Sequence, residues 1–490
     1  MQNINRTMKQ LKQVLILVII FFSVNLIFAQ EIIAEAGSYG IDNKNKIIVW
    51  HIKDLDSINA ENKSISQVKF NTVLKFENVV KTLSYAEAYS VNNGRDYTLY
   101  ITKLPVVQVT IDDPKINRNN KIPGYFCYYN AGEHIKSTMG VRHRGNLSLT
   151  FAKKSFDIEF WNDSITKQKK DLKFKGLRSD DDWILDGMFN EPLRLRSHIS
   201  AKLWTKVHEP YYSKLEPKAK SGIDIAYVEL FKNDEYYGLY QFSESIDRKQ
   251  LQLKENEGKN IHGELFKANS YKGGPDFTKS PKYNNLFPHW NGWRIEYPFI
   301  DYKAEWKDLA KFQDLVVNGS DDLFKNTIEN NVHIENVIDY YIFINVVRAT
   351  DNLGKNYYLA KYNTGEPYFF VAWDLDGVMG IIQDGKQEKY RKDILGNGLF
   401  NRLLELNPND YKTKVKSRWN ALKTNEYSYE TLLAKVDKLY NEFTKNKIYE
   451  REQLVWQNKL NEVSNKEHYE YLKQWLEDRL NILDNYFNSL

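Results

Sequence analysis

Apolar and polar residues alternate over short runs in the first half of the chain, and helical spacing takes over toward its end. Between Ile32 and Asp112 the runs Lys46–Ile52, Tyr97–Ile101 and Val106–Ile111 are separated by turn residues such as Asn93-Gly94, which predicts a small β-rich region. The last of these runs is assigned to the domain that follows. Further strands are predicted over Thr138–Arg144, Lys153–Trp161 and Lys169–Lys175. Leu193, Ile199, Leu203 and Val207 then fall on one face of a helix, with Pro192 following Asn190 or Glu191 at its start. Ile225–Phe231 and Tyr236–Glu244, joined by Lys232-Asn233-Asp234-Glu235, read as a β-hairpin.

Residues 253–300 are polar and turn-rich around Gly273-Gly274-Pro275 and are expected to form an irregular insertion. Val337, Tyr340, Tyr341, Ile344 and Val347 predict a helix from Ile334. Asn356–Tyr362 and Tyr368–Trp373 form a third strand pair about Asn363-Thr364-Gly365, and residues 395–490 are helical and amphipathic. The expected class is α+β, with antiparallel hairpins and a helical C-terminal region. Three parts follow: residues 1–29, a small β-rich region over 30–103, and a main domain over 104–490 whose β-rich lobe gives way to a helical lobe at about residue 301.

Lys9 and Lys12 precede an apolar run from Val14 to Phe22, continued by Val24, Leu26, Ile27 and Phe28, and Ala29 offers a small residue for cleavage before Gln30. This is the pattern of a secretory signal peptide, so residues 1–29 are expected to direct export to a periplasmic, cell-surface or extracellular location. After cleavage no apolar run is long enough to span a membrane, and no stable membrane insertion is expected. The single cysteine, Cys127, cannot form an intrachain disulfide, so an exported chain must be held by its core. Hydrophobic residues make up 42% of the 490, enough for one. The net charge of +5 arises from 69 basic and 64 acidic residues that interleave without a basic stripe, which argues against a nucleic-acid partner.

The candidate chemistry sits around the third hairpin. Asp351 and Asn356 lie five residues apart where a long apolar helix enters a strand, and the hairpin then delivers Trp373-Asp374-Leu375-Asp376-Gly377. Two polar clusters bracketing one short hairpin are expected side by side. Phosphoryl transfer needs an Asp to take or orient a hydroxyl proton, and an amide and a carboxylate to hold Mg²⁺ against the phosphates. Asp351 is the candidate base, Asn356 and Asp374 the candidate metal ligands, and Asp376 a second carboxylate ligand. These hard oxygen donors suit Mg²⁺, with Mn²⁺ as an alternative. Asp374 ends the apolar run Tyr368–Trp373, where an unpaired carboxylate is costly.

Phosphates also need cations. Lys154 shares a face with Phe156, Ile158 and Phe160 by period two, and a Lys on an inward face calls for an anion, so Lys154 is the candidate phosphate-pairing residue. Lys153 takes the role if the register differs by one. Arg144 and Ser148, in the turn before it, are candidates to cover the phosphates, and Glu229, Glu244 or Glu191 to pair with the Lys. No GxxxxGK[ST], no GxGxxG before a helix, no HExxH and no GxSxG is present, which removes P-loop, Rossmann, zincin and serine-hydrolase readings.

Several segments resemble the CotH family of spore-coat kinases. Arg144-Gly145-Asn146 with Lys153-Lys154-Ser155-Phe156, Val228-Glu229-Leu230-Phe231 with Tyr237-Gly238-Leu239-Tyr240, Asp351–Leu359 and Trp373-Asp374-Leu375-Asp376 are similar to its signatures. The resemblance spans roughly residues 104–485. It implies an atypical protein-kinase-like fold that transfers phosphate from ATP, with Mg²⁺, to Ser or Thr of exported or cell-surface proteins. The alternative is a non-catalytic surface-binding or adhesion protein on the same fold.

Overall fold

A computed structural model describes residues 30–61, 64–300, 305–388, 392–456 and 463–490. The expected signal segment, 1–29, lies outside the described residues, and no described helix is long and apolar enough to cross a membrane. The fold is α+β. The chain forms two compact units: residues up to Gln108 with Cys127–Ile135 and Phe231–Tyr236, and the remainder.

The first unit is built on a seven-stranded sheet ordered Gln30–Ile33, Ile65–Lys69, Val73–Val80, Ala88–Asn92, Asp96–Thr102, Ile47–His51, Tyr39–Asp42. Ile47–His51 is buried throughout, as its unbroken apolar run requires of a strand covered on both faces. Ile48, Trp50, Leu74, Leu99 and Ile101 are among the buried residues of its core.

Most residues of a closed barrel belong to the second unit. Its order is Glu133–Arg144, Ser155–Trp161, Asp182–Asp186, Glu235–Ser243, Ile225–Lys232, Val106–Ile111, Ile122–Asn130. Phe156, Ile158 and Phe160 alternate inward and are fully buried. They meet an aromatic core in which Phe126 lies 4.9 Å from Phe160 and the Trp183 and Phe242 rings stack at 4.7 Å. Such ring pairs add to the burial of large apolar area. The helix Arg196–Val207 follows Asp182–Asp186 in sequence.

The second sheet has five strands: His289–Trp290, Trp293–Tyr297, Glu264–Ala268, Tyr357–Lys361, Tyr368–Ala372. The expected irregular insertion over 253–300 is thereby corrected. It supplies three of these strands, which are short and interrupted by turns, so alternation over so few residues gave little signal. Two helices, Lys307–Asn318 and Asp321–Asn331, precede the expected Ile334–Val347, and the C-terminal region is helical from Gly398 on.

Ile334–Val347 is apolar nearly all round and buried along its length, which marks it as the central helix. Asn336 clips it to the hairpin: its amide donates to Phe370 O at 2.9 Å and accepts from Phe370 N at 2.6 Å. The helix Ile448–Val455, in the C-terminal region, carries Arg451, whose guanidinium pairs with Glu229 with both side chains wholly buried. Removing one partner strands the other charge in a low-dielectric interior. Glu229→Ala is expected to cost about 3–5 kcal/mol in urea unfolding, and the paired change Glu229→Leu with Arg451→Met to recover most of it.

Candidate active site

The segment that leaves the central helix is shaped by two turns. Arg348 closes the helix in a left-handed conformation, φ 53°, with its guanidinium held by Asp393 at 2.8 and 2.7 Å. The 3₁₀ turn Thr350–Leu353 follows. Its Asn352 is buried, and the side-chain amide donates to Asn356 O at 2.5 Å and to Trp373 O at 2.8 Å. One amide therefore ties the entry of the hairpin to its exit. Asn356 and Asp374, at those two ends, are both left-handed, φ 57° and 56°. Asn and Asp tolerate this region best among residues with a Cβ. Gly354 is required by close approach, since a Cβ there would lie 2.7 Å from the Tyr271 ring.

Asp351, Asn356, Asp374 and Asp376 thus come together along one cleft of about 790 Å³. Asp351 Oδ2 accepts from Lys355 Nζ and Asn356 Nδ2, each at 3.3 Å, and its carbonyl accepts from Tyr271 OH at 2.9 Å. Asp376 accepts from Asn190 Nδ2 at 3.1 Å and from Gly377 N at 2.8 Å. Burial, and next the Asp374 carboxylate, push its pKa up to about 8. A third carboxylate, Asp186, adds to the same field and was not singled out from sequence. It stands at the barrel rim, accepting from Ser155 Oγ at 2.8 Å and Met188 N at 3.1 Å. Its signal was an Asp-Gly directly after the apolar run Trp183-Ile184-Leu185.

The geometry separates the two candidate lysines. The strand begins at Ser155, not Lys153, so a period-two count does not reach back to Lys154. Lys154 instead donates to Leu149 O and Phe151 O, at 2.6 and 2.5 Å, closing the preceding turn. Lys153 is the buried one and lines the cleft. Its ammonium donates to Leu239 O at 2.6 Å and pairs with Glu452 at 2.5 Å. Burial brings its pKa down to about 8 against the pull of Glu452. None of the three expected carboxylates is its partner. Glu229 holds Arg451, Glu191 holds Arg196 at 2.5 Å, and Glu244 accepts from Arg178 N and Asp224 N at 2.6 and 3.0 Å. Glu452 also accepts from Leu239 N at 2.6 Å, and Gly238 makes room for it: a Cβ there would stand 2.5 Å from its carboxylate.

Arg144 lines the cleft with its guanidinium 5.4 Å over the Trp373 ring, and Ser148 lines it with its hydroxyl donated to Arg144 O at 3.1 Å. The donors Asn356, Asp374 and Asp376 are all oxygen ligands. A carboxyl driven toward neutrality first by burial and then by a neighbouring carboxylate is what a divalent cation reverses, so the set fits Mg²⁺. Elsewhere among the described residues, Glu159, Asp181 and Asp182 converge, and so do Asp171, Asp180 and Asp181. Lys169 and Lys249 already neutralise those groups.

The protein-family model described as CotH kinase protein matches residues 141–483. The chain belongs to the CotH family. The match contains Arg144, Lys153, Asp186, Asp351, Asn356, Asp374, Asp376 and Glu452, so every cleft residue discussed falls within its CotH region. Comparison with curated proteins gave no match.

The raised Asp376 has a consequence for stability. The unfolded carboxyl ionises near pH 4 and the folded one only near 8, so between those values the unfolded state has lost a proton that the folded state keeps. In metal-free protein this contribution falls as pH rises from about 4 to 8. Asp376→Asn is therefore expected to gain thermal stability relative to the unchanged chain at pH 8 compared with pH 5, and to lose most of any Mg²⁺-induced rise in Tm. Parallel pH dependence of the two chains would contradict this.

Proposed function

We propose that the protein is an ATP- and Mg²⁺-dependent protein kinase of the CotH type, on an atypical kinase-like fold, transferring phosphate to Ser or Thr hydroxyls of exported or cell-surface proteins. One observation carries the reading: an amide, Asn356, and a carboxylate, Asp374, stand at the two ends of one hairpin beside Asp351, on a cleft that also holds a buried Lys–Glu pair. The amino-terminal pattern Lys9–Ala29 supports export.

In this reading Asp351 accepts the proton of the attacking hydroxyl. Lys355 and the Asn356 amide hold its Oδ2 in place, and Tyr271 holds its backbone. Asn356, Asp374 and Asp376 would hold Mg²⁺, which when bound neutralises charge on the phosphate oxygens. Lys153, oriented by Glu452 and by Leu239 O, supplies a fixed cation to the same cleft. Positioning and electrostatics do the work, as phosphoryl transfer requires of a protein.

The test is incubation of the chain from Gln30 with labelled ATP and Mg²⁺ or Mn²⁺. Metal-dependent transfer to itself or to a generic protein substrate is expected. It should be abolished in Asp374→Ala and lowered about 100-fold or more in Asp351→Asn, whose amide cannot take a proton. No transfer together with no nucleotide-induced rise in Tm would defeat the kinase and leave a non-catalytic binding protein.

A further inference from the structure

Three hairpin turns of the first unit meet at one end of its sheet. Tyr39–Asp42 pairs antiparallel with Ile47–His51, Ile65–Lys69 with Val73–Val80, and Ala88–Asn92 with Asp96–Thr102. Asp96–Thr102 runs parallel to Ile47–His51, and Val73–Val80 antiparallel to Ala88–Asn92. Followed across the sheet, these directions bring the turns at 43–46, 70–72 and 93–95 to the same end. Turn chemistry explains part of their composition. Asp42 Oδ1 accepts from Lys44 N and Asn45 N, each at 2.8 Å, and Gly94 adopts φ 91°. It does not explain the pocket of about 660 Å³ that lies among them, whose lining residues all belong to the first unit.

Each turn contributes an asparagine to this pocket: Asn43, Asn71 and Asn93. Asn43 Oδ1 accepts from Tyr97 OH at 2.6 Å, and Asn93 Nδ2 donates to Thr72 Oγ1 at 3.4 Å, so two of the turns are tied to one another and the third to the sheet. Among the described residues the Nδ2 of Asn43, the Oδ1 of Asn93 and the whole side-chain amide of Asn71 have no partner. The charged side chains on the pocket are one cation and one anion, Arg95 and Asp234, and neither has an ion-pair partner among the described residues. One wall is aromatic. Tyr39 is half-buried there, backed by the Phe70 ring at 4.6 Å, and the buried Phe231 and Leu74 also line it.

A phosphate or carboxylate ligand would need an excess of cations, and an apolar ligand a mostly apolar wall. This pocket has neither. Amides that donate and accept side by side match the neighbouring hydroxyls of a polyol, and a tyrosine ring offers a flat face to its C–H groups. We propose that the pocket binds a neutral saccharide, with Asn43, Asn71 and Asn93 bonding its hydroxyls, Arg95 and Asp234 at the rim, and Tyr39 against one sugar face. The proposal does not rest on the kinase reading. The lining residues from Tyr39 to Gln108 precede the matched region 141–483, and only Phe231 and Asp234 fall within it.

The test applies the chain from Gln30, without nucleotide or metal, to an array of neutral oligosaccharides of hexoses, pentoses and N-acetylhexosamines, with uronic-acid oligosaccharides as charged counterparts. The neutral oligosaccharide retained best is then titrated calorimetrically. Retention of a neutral oligosaccharide is expected. Asn71→Ala and Arg95→Ala should each weaken it about fivefold or more, and Tyr39→Ala should weaken it at least as much. The Tm of Asn71→Ala and Arg95→Ala should stay within about 2 °C of the unchanged chain, because both side chains are exposed and unpartnered. Binding undiminished in all three variants would put the saccharide elsewhere and overturn the pocket. Retention of the uronic-acid oligosaccharides alone would overturn the neutral class. No retention of any oligosaccharide by the unchanged chain would overturn the proposal as a whole.

Discussion

The concentration of carboxylates at the exit of one hairpin is the constraint to which the rest of the second unit answers. Asp374 and Asp376 stand two residues apart at the end of an apolar strand, Asp374 exposed and Asp376 part-buried, with Asp186 adding to the field on Asp376. Such an arrangement is stable only if the surroundings fix its geometry and supply cations. The structure does the first with amides, and for the second Lys153 and Lys267 act on Asp186 and Asp374 from beyond ion-pair distance. A divalent cation is the one species that would complete the balance while using all the oxygen donors.

The fixing is done largely by buried asparagines. Asn336 clips the central helix to the strand Tyr368–Ala372, and Asn352 joins the two ends of the hairpin through the carbonyls of Asn356 and Trp373. Fully satisfied buried amides specify one arrangement, because any slip leaves donors and acceptors unpaired. This is how a hairpin of five-residue strands can hold Asn356 and Asp374 in left-handed conformations side by side. The same logic holds Glu452 in place, where Lys153, the Leu239 amide and the space left by Gly238 meet.

Much of this was legible in the sequence. The hairpins showed through their alternation, and the cluster Asp351, Asn356, Asp374 and Asp376 through its order around a short strand pair. What escaped did so for physical reasons. Lys153 and Lys154 differ by one residue, and a strand boundary decides which is inward; boundaries depend on tertiary pairing that local pattern does not contain. Glu452 lies 299 residues from Lys153, on a helix rich in charged residues, and nothing local separates it from Glu450. The strands of 264–297 were hidden by their brevity.

The central claim is that Asn356 and Asp374 form a metal–nucleotide site. The most direct measurement is a crystal structure of the chain with Mn²⁺ and a non-hydrolysable ATP analogue, with the manganese located by anomalous scattering. The account predicts a peak within ligand distance of Asn356 and Asp374, with the phosphates between the metal and the cations of the cleft. A nucleotide bound away from the hairpin, or a manganese peak that leaves both residues uncoordinated, would contradict it.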